Sequence, residues 1–166
     1  MNVARQRTVA GPVTFRHDDA QVLASVTDAS VDIVVSKLAI IDIADHRALF
    51  HAARRVLTPK GRFVFSLLHP CFEAPFHVPD ALPFLEDEYG MQVARVVRTY
   101  TTEGQWFSGG DGVRGRVGAY HRTLSTPIND LLASGFTLCS LNEPCPDLPG
   151  VIGEIPHVLL IEAQVA

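Results

Sequence analysis

VDIVVSKLAIIDIADHRALFHAARRVLTPKGRFVFSLLHP, residues Val31 to Pro70, decides the fold. Val31 to Ser36 is a short apolar, β-branched run, the pattern of a strand covered on both faces. Asp45 is placed to cap a helix, and Leu49, Ala52, Ala53, Val56 and Leu57 recur at helical spacing to give it one apolar face. Pro59 and Gly61 are expected to end that helix and turn the chain. Phe63 to Leu68 is a second apolar strand, and His69-Pro70 stops it. A strand, a helix and a strand at this spacing predict a parallel pair joined by a right-handed crossover. In open α/β sheets ligands bind beyond the carboxyl ends of the strands. Ser36 to Asp42 and His69 to Phe72 therefore border the expected site.

A length of 166 residues suits one domain with a real core. The chain is 47% hydrophobic and 19% charged, a globular composition. A net charge of -4 without any basic block gives no electrostatic footprint for nucleic acid. Lys37 and Lys60 are its only lysines, beside common arginine and alanine, a coding bias and not a function. Cys71, Cys139 and Cys145 form no CxxC pair and read as free thiols in a reducing compartment. No apolar run approaches the roughly 18–20 residues of a membrane span. Met1 to Gly11 holds no apolar signal core, so the expectation is a cytoplasmic protein.

Upstream of the central unit, Met1 to Ala10 has the weak periodicity of a helix end. Val13 to Arg16 reads as a short strand, followed by the loop His17 to Ala20 and a turn or short helix over Gln21 to Val26. Downstream, Pro70, Pro75, Pro79 and Pro83 exclude a long helix before Leu85. Val93 to Thr101 is β-rich, Gly104 to Gly118 is glycine-rich, and Arg116 to Arg122 is expected to pair back as a strand. An insertion of this length, residues 70–124, suggests a lid or binding element; a plain surface excursion is the alternative. Ser125 or Thr126 is expected to cap a helix with Pro127 in its first turn and Ile128, Leu131 and Leu132 facing inward. Gly135 ends it. Phe136 to Leu141 and His157 to Ala163 are the last strands; with no helix between them, they pair antiparallel.

The order of motifs resembles a known family. Asp19-Ala20-x-x-Leu23, Asp28 to Ser36 and Arg55-Val56-Leu57-Thr58-Pro59-Lys60-Gly61-Arg62-Phe63 are similar to the class I S-adenosylmethionine-dependent methyltransferases. The last run looks like that family's RVLKPGG turn, with Lys60 in place of the first glycine. His69-Pro70, Tyr120-His121-Arg122-x-Leu124-Ser125-Thr126, Ala133 to Phe136 and Glu143-Pro144 look like a small-molecule branch. The resemblance covers nearly the whole chain. It implies an α/β, Rossmann-like methyltransferase fold with a mostly parallel sheet, an antiparallel final strand pair and the insertion as a lid. The family's D-x-G-x-G loop and the acid that holds the ribose have no counterpart here. The expectation is a fold truncated by its first two strands and first helix. Gly109-Gly110-x-Gly112 follows no hydrophobic strand and does not replace that loop.

In the family a further strand lies beside the one corresponding to Val31–Ser36. Without it, either Val13–Arg16 pairs there or another chain does, because an uncovered apolar edge invites pairing. A homo-oligomer through this edge, or a shrunken sheet, is therefore expected.

The resemblance also implies a site. Asp19 would accept a hydrogen bond from the cofactor's adenine amino group, and the Ala20 amide would meet the ring. Ser36, Lys37 and Leu38 would lie beside its methionine part. His69 and His121 are candidate bases, since histidine titrates in the useful range; a structural role is the alternative for both. Arg122 could clamp an acceptor carboxylate or phosphate, with Tyr120 beside it. Trp106 and Phe107, with Phe72, Phe76 and Phe84, could line an apolar pocket or form the insertion's own core. His46 and His51 are five apart, off the spacing of two helical metal ligands, and no GxSxG elbow is present.

The leading expectation is methyl transfer from S-adenosylmethionine to a small molecule, with the chain inactive alone for want of the glycine loop. A non-catalytic binding protein derived from the same fold is the alternative. A fragment from a misplaced start or split gene is a third reading, and a nicotinamide dehydrogenase a distant fourth.

Overall fold

A computed structural model of the protein describes residues 12–73, 84–108 and 110–166. Strand β1 spans Val31–Lys37, helix α1 His46–Val56 and strand β2 Leu57–Leu68. Between β1 and α1 the chain makes one 3-10 turn, Ile40–Asp42. Asp45 caps α1, its carboxylate accepting the Ala48 amide at 3.0 Å and so satisfying one of the free N–H groups of the first turn. β1 and β2 run parallel, with Val34 opposite Phe63 and Ser36 opposite Phe65.

Two small antiparallel hairpins follow. β3 (Phe84–Glu86) pairs with β4 (Gln92–Arg95), and β5 (Gly104–Trp106) pairs with β6 (Ala119–His121). The short helix α2 (Val113–Val117) lies between β5 and β6. Helix α3 (Ser125–Ala133), strand β7 (Phe136–Asn142), the single-turn helix α4 (Val151–Glu154) and strand β8 (Val158–Val165) complete the chain. The main sheet has the order β1-β2-β8-β7, with one parallel junction and two antiparallel ones. β8 enters between β2 and β7 and runs antiparallel to both; the sequence gives no expectation of a helix before it, and the single turn of α4 there is too short to carry a parallel crossover.

The core lies on one face of this sheet. Phe63, Phe65, Leu159 and Ile161 point into it and meet Leu49, Phe50 and Ala53 of α1 and Leu131 of α3. Phe63 is its centre, 4.8 Å from the ring of Phe65, 5.8 Å from Phe136 and 5.9 Å from Phe50. Such offset and edge contacts add to the burial of the rings themselves.

Several expectations change at this level. β1 is covered on one face only: Ile33 is 58% exposed and Val35 70%. A run of branched residues fits a strand buried on one face or two, and the run alone does not say which. Val13–Arg16 is not a strand and does not pair with β1. Among the described residues the outer edge of β1 is unpaired. β6 pairs with β5, not with the β-rich stretch after Val93, of which only Gln92–Arg95 is a strand. At α3 the cap position is Leu124, with no side-chain cap, in place of Ser125 or Thr126; Leu132 faces outward, 45% exposed. The segment Met1 to Ala10 and residues Pro75, Phe76, Pro79 and Pro83 lie outside the described residues.

The turn before β2 also differs. α1 ends at Val56, and β-pairing begins at once, with Leu57 opposite Val31. The next pair is Ile33 with Arg62, so Thr58–Gly61 bulge out of the ladder. Lys60 sits there at φ +68°, where a side chain costs about 1 kcal/mol relative to glycine. A Cβ on Gly61 would meet the Thr58 carbonyl oxygen at 2.8 Å. The two positions are thus opposite in what they tolerate.

α1 and α3 are joined by a half-buried charge cluster. His46 Nε2 is 2.7 Å from Asp130 Oδ2, and Arg47 Nε is 2.8 Å from Asp130 Oδ1. Burial and the neighbouring Arg122 charge push His46 below its ordinary value, outweighing the pull of Asp130. Burial would raise Asp130, but hydrogen bonds from Arg47 and His46 outweigh it and hold the carboxyl below its usual range. Both groups therefore release protons more readily folded than unfolded. Their contribution is complete above the unfolded values, about 6.5 for histidine and about 3.9 for aspartate, and is lost as pH falls toward the folded ones.

Two predictions follow from the bulge and the cluster. In chemical denaturation, Gly61→Ala loses about 2 kcal/mol, while Lys60→Gly stays within about 0.5 kcal/mol of the parent because relief of strain offsets the added unfolded-state entropy; the reverse order contradicts the bulge geometry. Stability declines as pH is lowered from 7 to 3, and Asp130→Asn removes the part of the decline below about pH 4; a stability that rises on acidification contradicts the assignment.

Candidate functional site

The carboxyl ends of β1 and β2 face the hairpin β5–β6. Between them lies a narrow pocket of ≈ 30 Å³, room for about two waters. Its floor includes Ile40, Ile41, Leu67 and Leu68; its opposite wall is Trp106, Ala119, Tyr120 and His121.

Arg122 fixes this arrangement. Its guanidinium donates to the carbonyls of Ile43 at 2.7 Å, Ala44 at 2.9 Å and Ile40 at 3.4 Å, and lies over the Tyr120 ring at 5.3 Å. These are carbonyls of the turn after β1, so the residue following β6 is clamped to the end of that edge strand. Burial lowers the pKa of Arg122 while Glu103, Tyr120 and Asp130 oppose it. The guanidinium expected to clamp an acceptor anion here gives three of its hydrogen bonds to backbone carbonyls.

His121 is 6% exposed and lines the pocket. Its Nε2 lies 2.7 Å from the Tyr100 carbonyl oxygen, which can only accept. Nε2 therefore carries a proton, and a neutral ring holds its lone pair on Nδ1. Glu103 supports the same region, accepting from the Thr123 amide and hydroxyl, each at 2.7 Å. Burial would raise Glu103, but hydrogen bonds from Thr126 and Thr123 outweigh it and keep the carboxyl below its ordinary range.

His69 is differently placed. It is 1% exposed, and its amide extends the sheet by donating to the His157 carbonyl at 2.9 Å. Nδ1 accepts the Cys71 amide at 3.2 Å, so Nε2 holds the proton and donates to Glu143 at 2.7 Å. Both ring nitrogens are used within the protein. The side chain ties the end of β2 to the loop after β7. A second tie runs beside it: Glu73 binds His157 Nδ1 at 2.6 Å and Arg95 at 3.1 Å.

The remaining candidates flank the strand ends. Asp19 is exposed, and its Oδ1 accepts the Gln21 amide at 2.9 Å. Ala20 packs against the core. Gln21 Oε1 accepts the Asp45 amide at 2.9 Å, which holds this loop at the start of α1. From there residues 22–28 run back along α1 under Arg55, which donates to the carbonyls of Val22, Leu23 and Val26 and pairs with Asp28. Ser36 pairs with Phe65 and Lys37 with Ser66; Lys37 is exposed. Leu38 turns away at φ +54°, its amide on the Ser66 carbonyl at 3.0 Å. A bulky residue in that conformation is strained, and such strain clusters at ligand sites.

The structure thus brings His121, Tyr120, Trp106 and Arg122 to one pocket. Asp19, Ala20 and the Ser36–Leu38 turn border the same end of the sheet, outside its lining. His69 sits behind the pocket. Tyr100, Glu103, Glu73 and Arg95 were not among the sequence candidates. Tyr100 acts on His121 through its backbone, which no side-chain pattern encodes; Thr123-x-x-Thr126 at a helix start is the only local sign of an acceptor such as Glu103. Among the described residues no group of three or more His, Cys, Asp or Glu could hold a metal, and no helix is long and apolar enough to cross a membrane.

Comparison with known proteins agrees with this architecture. A family model described as a methyltransferase domain matches residues 1–65. A protein assigned as an S-adenosylmethionine-dependent methyltransferase from Listeria monocytogenes superposes with a TM-score of 0.79 and 28% identity, over 99% of this chain and 75% of that one. An S-adenosylmethionine-dependent methyltransferase from Mesorhizobium loti gives the same TM-score and identity, over 98% of this chain and 75% of that one. A methyltransferase from Methanosarcina mazei shares the fold at 15% identity and a TM-score of 0.56, over 95% of this chain and 69% of that one. No curated protein matches the sequence. The strand order, the antiparallel final pair and these matches agree with the motif order of the sequence: the chain shares the fold of S-adenosylmethionine-dependent methyltransferases, and its first 65 residues match the methyltransferase-domain family model.

Proposed function

We propose that the protein takes part in methyl transfer from S-adenosylmethionine to a small-molecule acceptor bound where β6 meets the ends of β1 and β2, with the narrow pocket there admitting only its reacting group. The observation that carries this reading is His121. Its Nε2–H is committed to the Tyr100 carbonyl at 2.7 Å, which leaves Nδ1 as the basic nitrogen of a residue lining that pocket.

The cofactor would supply a methyl group on a sulfonium sulfur. The residues present fit one side of it. Asp19 Oδ2 has only a long contact, 3.5 Å from Gln21 Nε2, so it can accept from an adenine amino group. The Ala20 amide makes no hydrogen bond among the described residues and can meet the ring. The Ser36–Leu38 turn borders the methionine part. The work of this chain is then positioning: it aligns the acceptor atom with the methyl, an effect worth several kcal/mol in oriented reactions. His121 takes the acceptor's proton, with geometry as the first requirement. His69, with both nitrogens engaged, acts as a positioning residue for the end of β2.

The 166 residues hold no D-x-G-x-G run. Close backbone approach to the cofactor would need it, so these residues alone bind weakly and catalyse poorly without that wall.

Titration of the 166-residue chain with S-adenosylhomocysteine, followed by ligand-observed NMR, tests this. Binding is expected near 1 mM, about −4 kcal/mol, and Asp19→Ala weakens it about tenfold, the worth of one charged hydrogen bond. No binding at all, or no effect of Asp19→Ala, overturns the cofactor assignment and favours a non-catalytic binding protein. Micromolar affinity overturns the claim that a further wall is needed.

A further inference from the structure

We infer that Tyr100 is a positioning residue of the site: it holds the His121 ring by its backbone carbonyl and the chain entering α3 by its hydroxyl, so that the hydroxyl sets where the ring lies. The inference rests on the reading of His121 as a site residue in the proposed function.

Residues 99–103 wrap the joint between β6 and α3. The Tyr100 carbonyl accepts His121 Nε2–H at 2.7 Å, and the Tyr100 hydroxyl accepts the Leu124 amide at 2.9 Å. The two rings also meet edge to face, with 6.0 Å between centroids. Three residues on, Glu103 Oε1 takes the Thr123 amide and hydroxyl at 2.7 Å each and the Thr126 hydroxyl at 2.5 Å. The Tyr100 hydroxyl is used in full. Its proton turns to the Cys71 thiol, on the chain leaving β2, while its oxygen takes the Leu124 N–H. Burial raises the Tyr100 pKa and Cys71 adds to it, against the pull of the Leu124 amide, so the phenol keeps its proton at neutral pH. Tyr100 therefore ties the end of β2 to the start of α3 and holds His121 from the same residue.

The backbone around it is strained. Thr99 enters the loop at φ +51°, a region that β-branched residues rarely adopt. Such a conformation persists only where neighbouring contacts hold it, and it clusters at sites whose geometry must be fixed. The Thr102 amide closes the turn on the Thr99 carbonyl at 2.9 Å. Tyr100 is not among the residues lining the narrow pocket, so it acts there through His121. A carbonyl orients a ring only as firmly as its own residue is held. Here the side chain of that residue does the holding, and phenylalanine would fill the same space without either hydroxyl bond.

The test needs neither cofactor nor acceptor, so its outcome is distinct from that of the S-adenosylhomocysteine titration. Solvent exchange of His121 Nε2–H and of the slowest core amides is followed by NMR in the intact 166-residue protein, in Tyr100→Phe and in Gly61→Ala. Gly61→Ala acts at the opposite end of β2 and measures a global loss of stability. It is expected to speed His121 exchange no more than it speeds the core amides. Tyr100→Phe is expected to speed His121 exchange about tenfold more than the core amides, the fold-change that loss of one buried hydrogen bond produces. An unchanged His121 rate in a folded Tyr100→Phe protein overturns the inference, as does a rise no larger than that of the core amides. If Tyr100→Phe does not fold, the parent decides. His121 Nε2–H and the Leu124 amide, both held by one residue, are expected to be protected to within about tenfold of each other, and a larger gap overturns the inference.

Discussion

Arg122 on the carbonyls of Ile40, Ile43 and Ala44 is the contact on which the site depends. A buried guanidinium is costly unless its donors are satisfied. Here three of them meet the carbonyls of Ile40, Ile43 and Ala44, in and just after the 3-10 turn that leaves β1. The interaction joins two distant parts of the chain. It places β6, and with it Tyr120 and His121, over the ends of β1 and β2. Arg114, paired with Asp42, secures the same turn from α2. The position of the pocket follows from this use of the arginine.

The sheet is built to bury one face. Phe63, Phe65, Leu159 and Ile161 fill the side under α1 and α3, while Ile33 and Val35 on the other side are exposed. The open edge of β1 and this apolar face lie together, a combination that natural sheets usually cover. In the proposed function the second wall of the cofactor crevice belongs on this side of β1. The two halves of the proposed site therefore have different standing. The acceptor half is formed by residues that are tied together by hydrogen bonds, whereas the cofactor half offers loops along one border.

Much of the fold was legible in the sequence. The β1–α1–β2 unit, the Asp45 cap and the antiparallel final strands follow from periodicity, capping chemistry and the absence of a helix long enough for a crossover. Local rules cover these because each feature is decided within a few residues. The misreadings have a common cause. Whether Ile33 and Val35 are covered depends on what packs against them, which the run of branched residues does not encode. Pro59 and Gly61 suggested a helix stop, but the bulge opposite Asp32 absorbs them after the helix has already ended at Val56. β6 chose β5 over the β-rich stretch after Val93, a long-range choice that propensity does not make. In the site, Tyr120-His121-Arg122 stands out in the sequence as a cluster, yet the roles within it are not readable there. A free arginine and one spent on carbonyls look identical in sequence. So do a histidine that lines a pocket with one nitrogen bonded to the protein and one, such as His69, with both nitrogens engaged.

The account turns on the protonation of one ring. Long-range proton–nitrogen NMR of the histidine side chains at neutral pH reports the tautomer of His121 directly. In the neutral form of the His121 ring the proton is expected on Nε2, held by the Tyr100 carbonyl, with Nδ1 bare. A His121 ring protonated on Nδ1, with Nε2 bare, would contradict it.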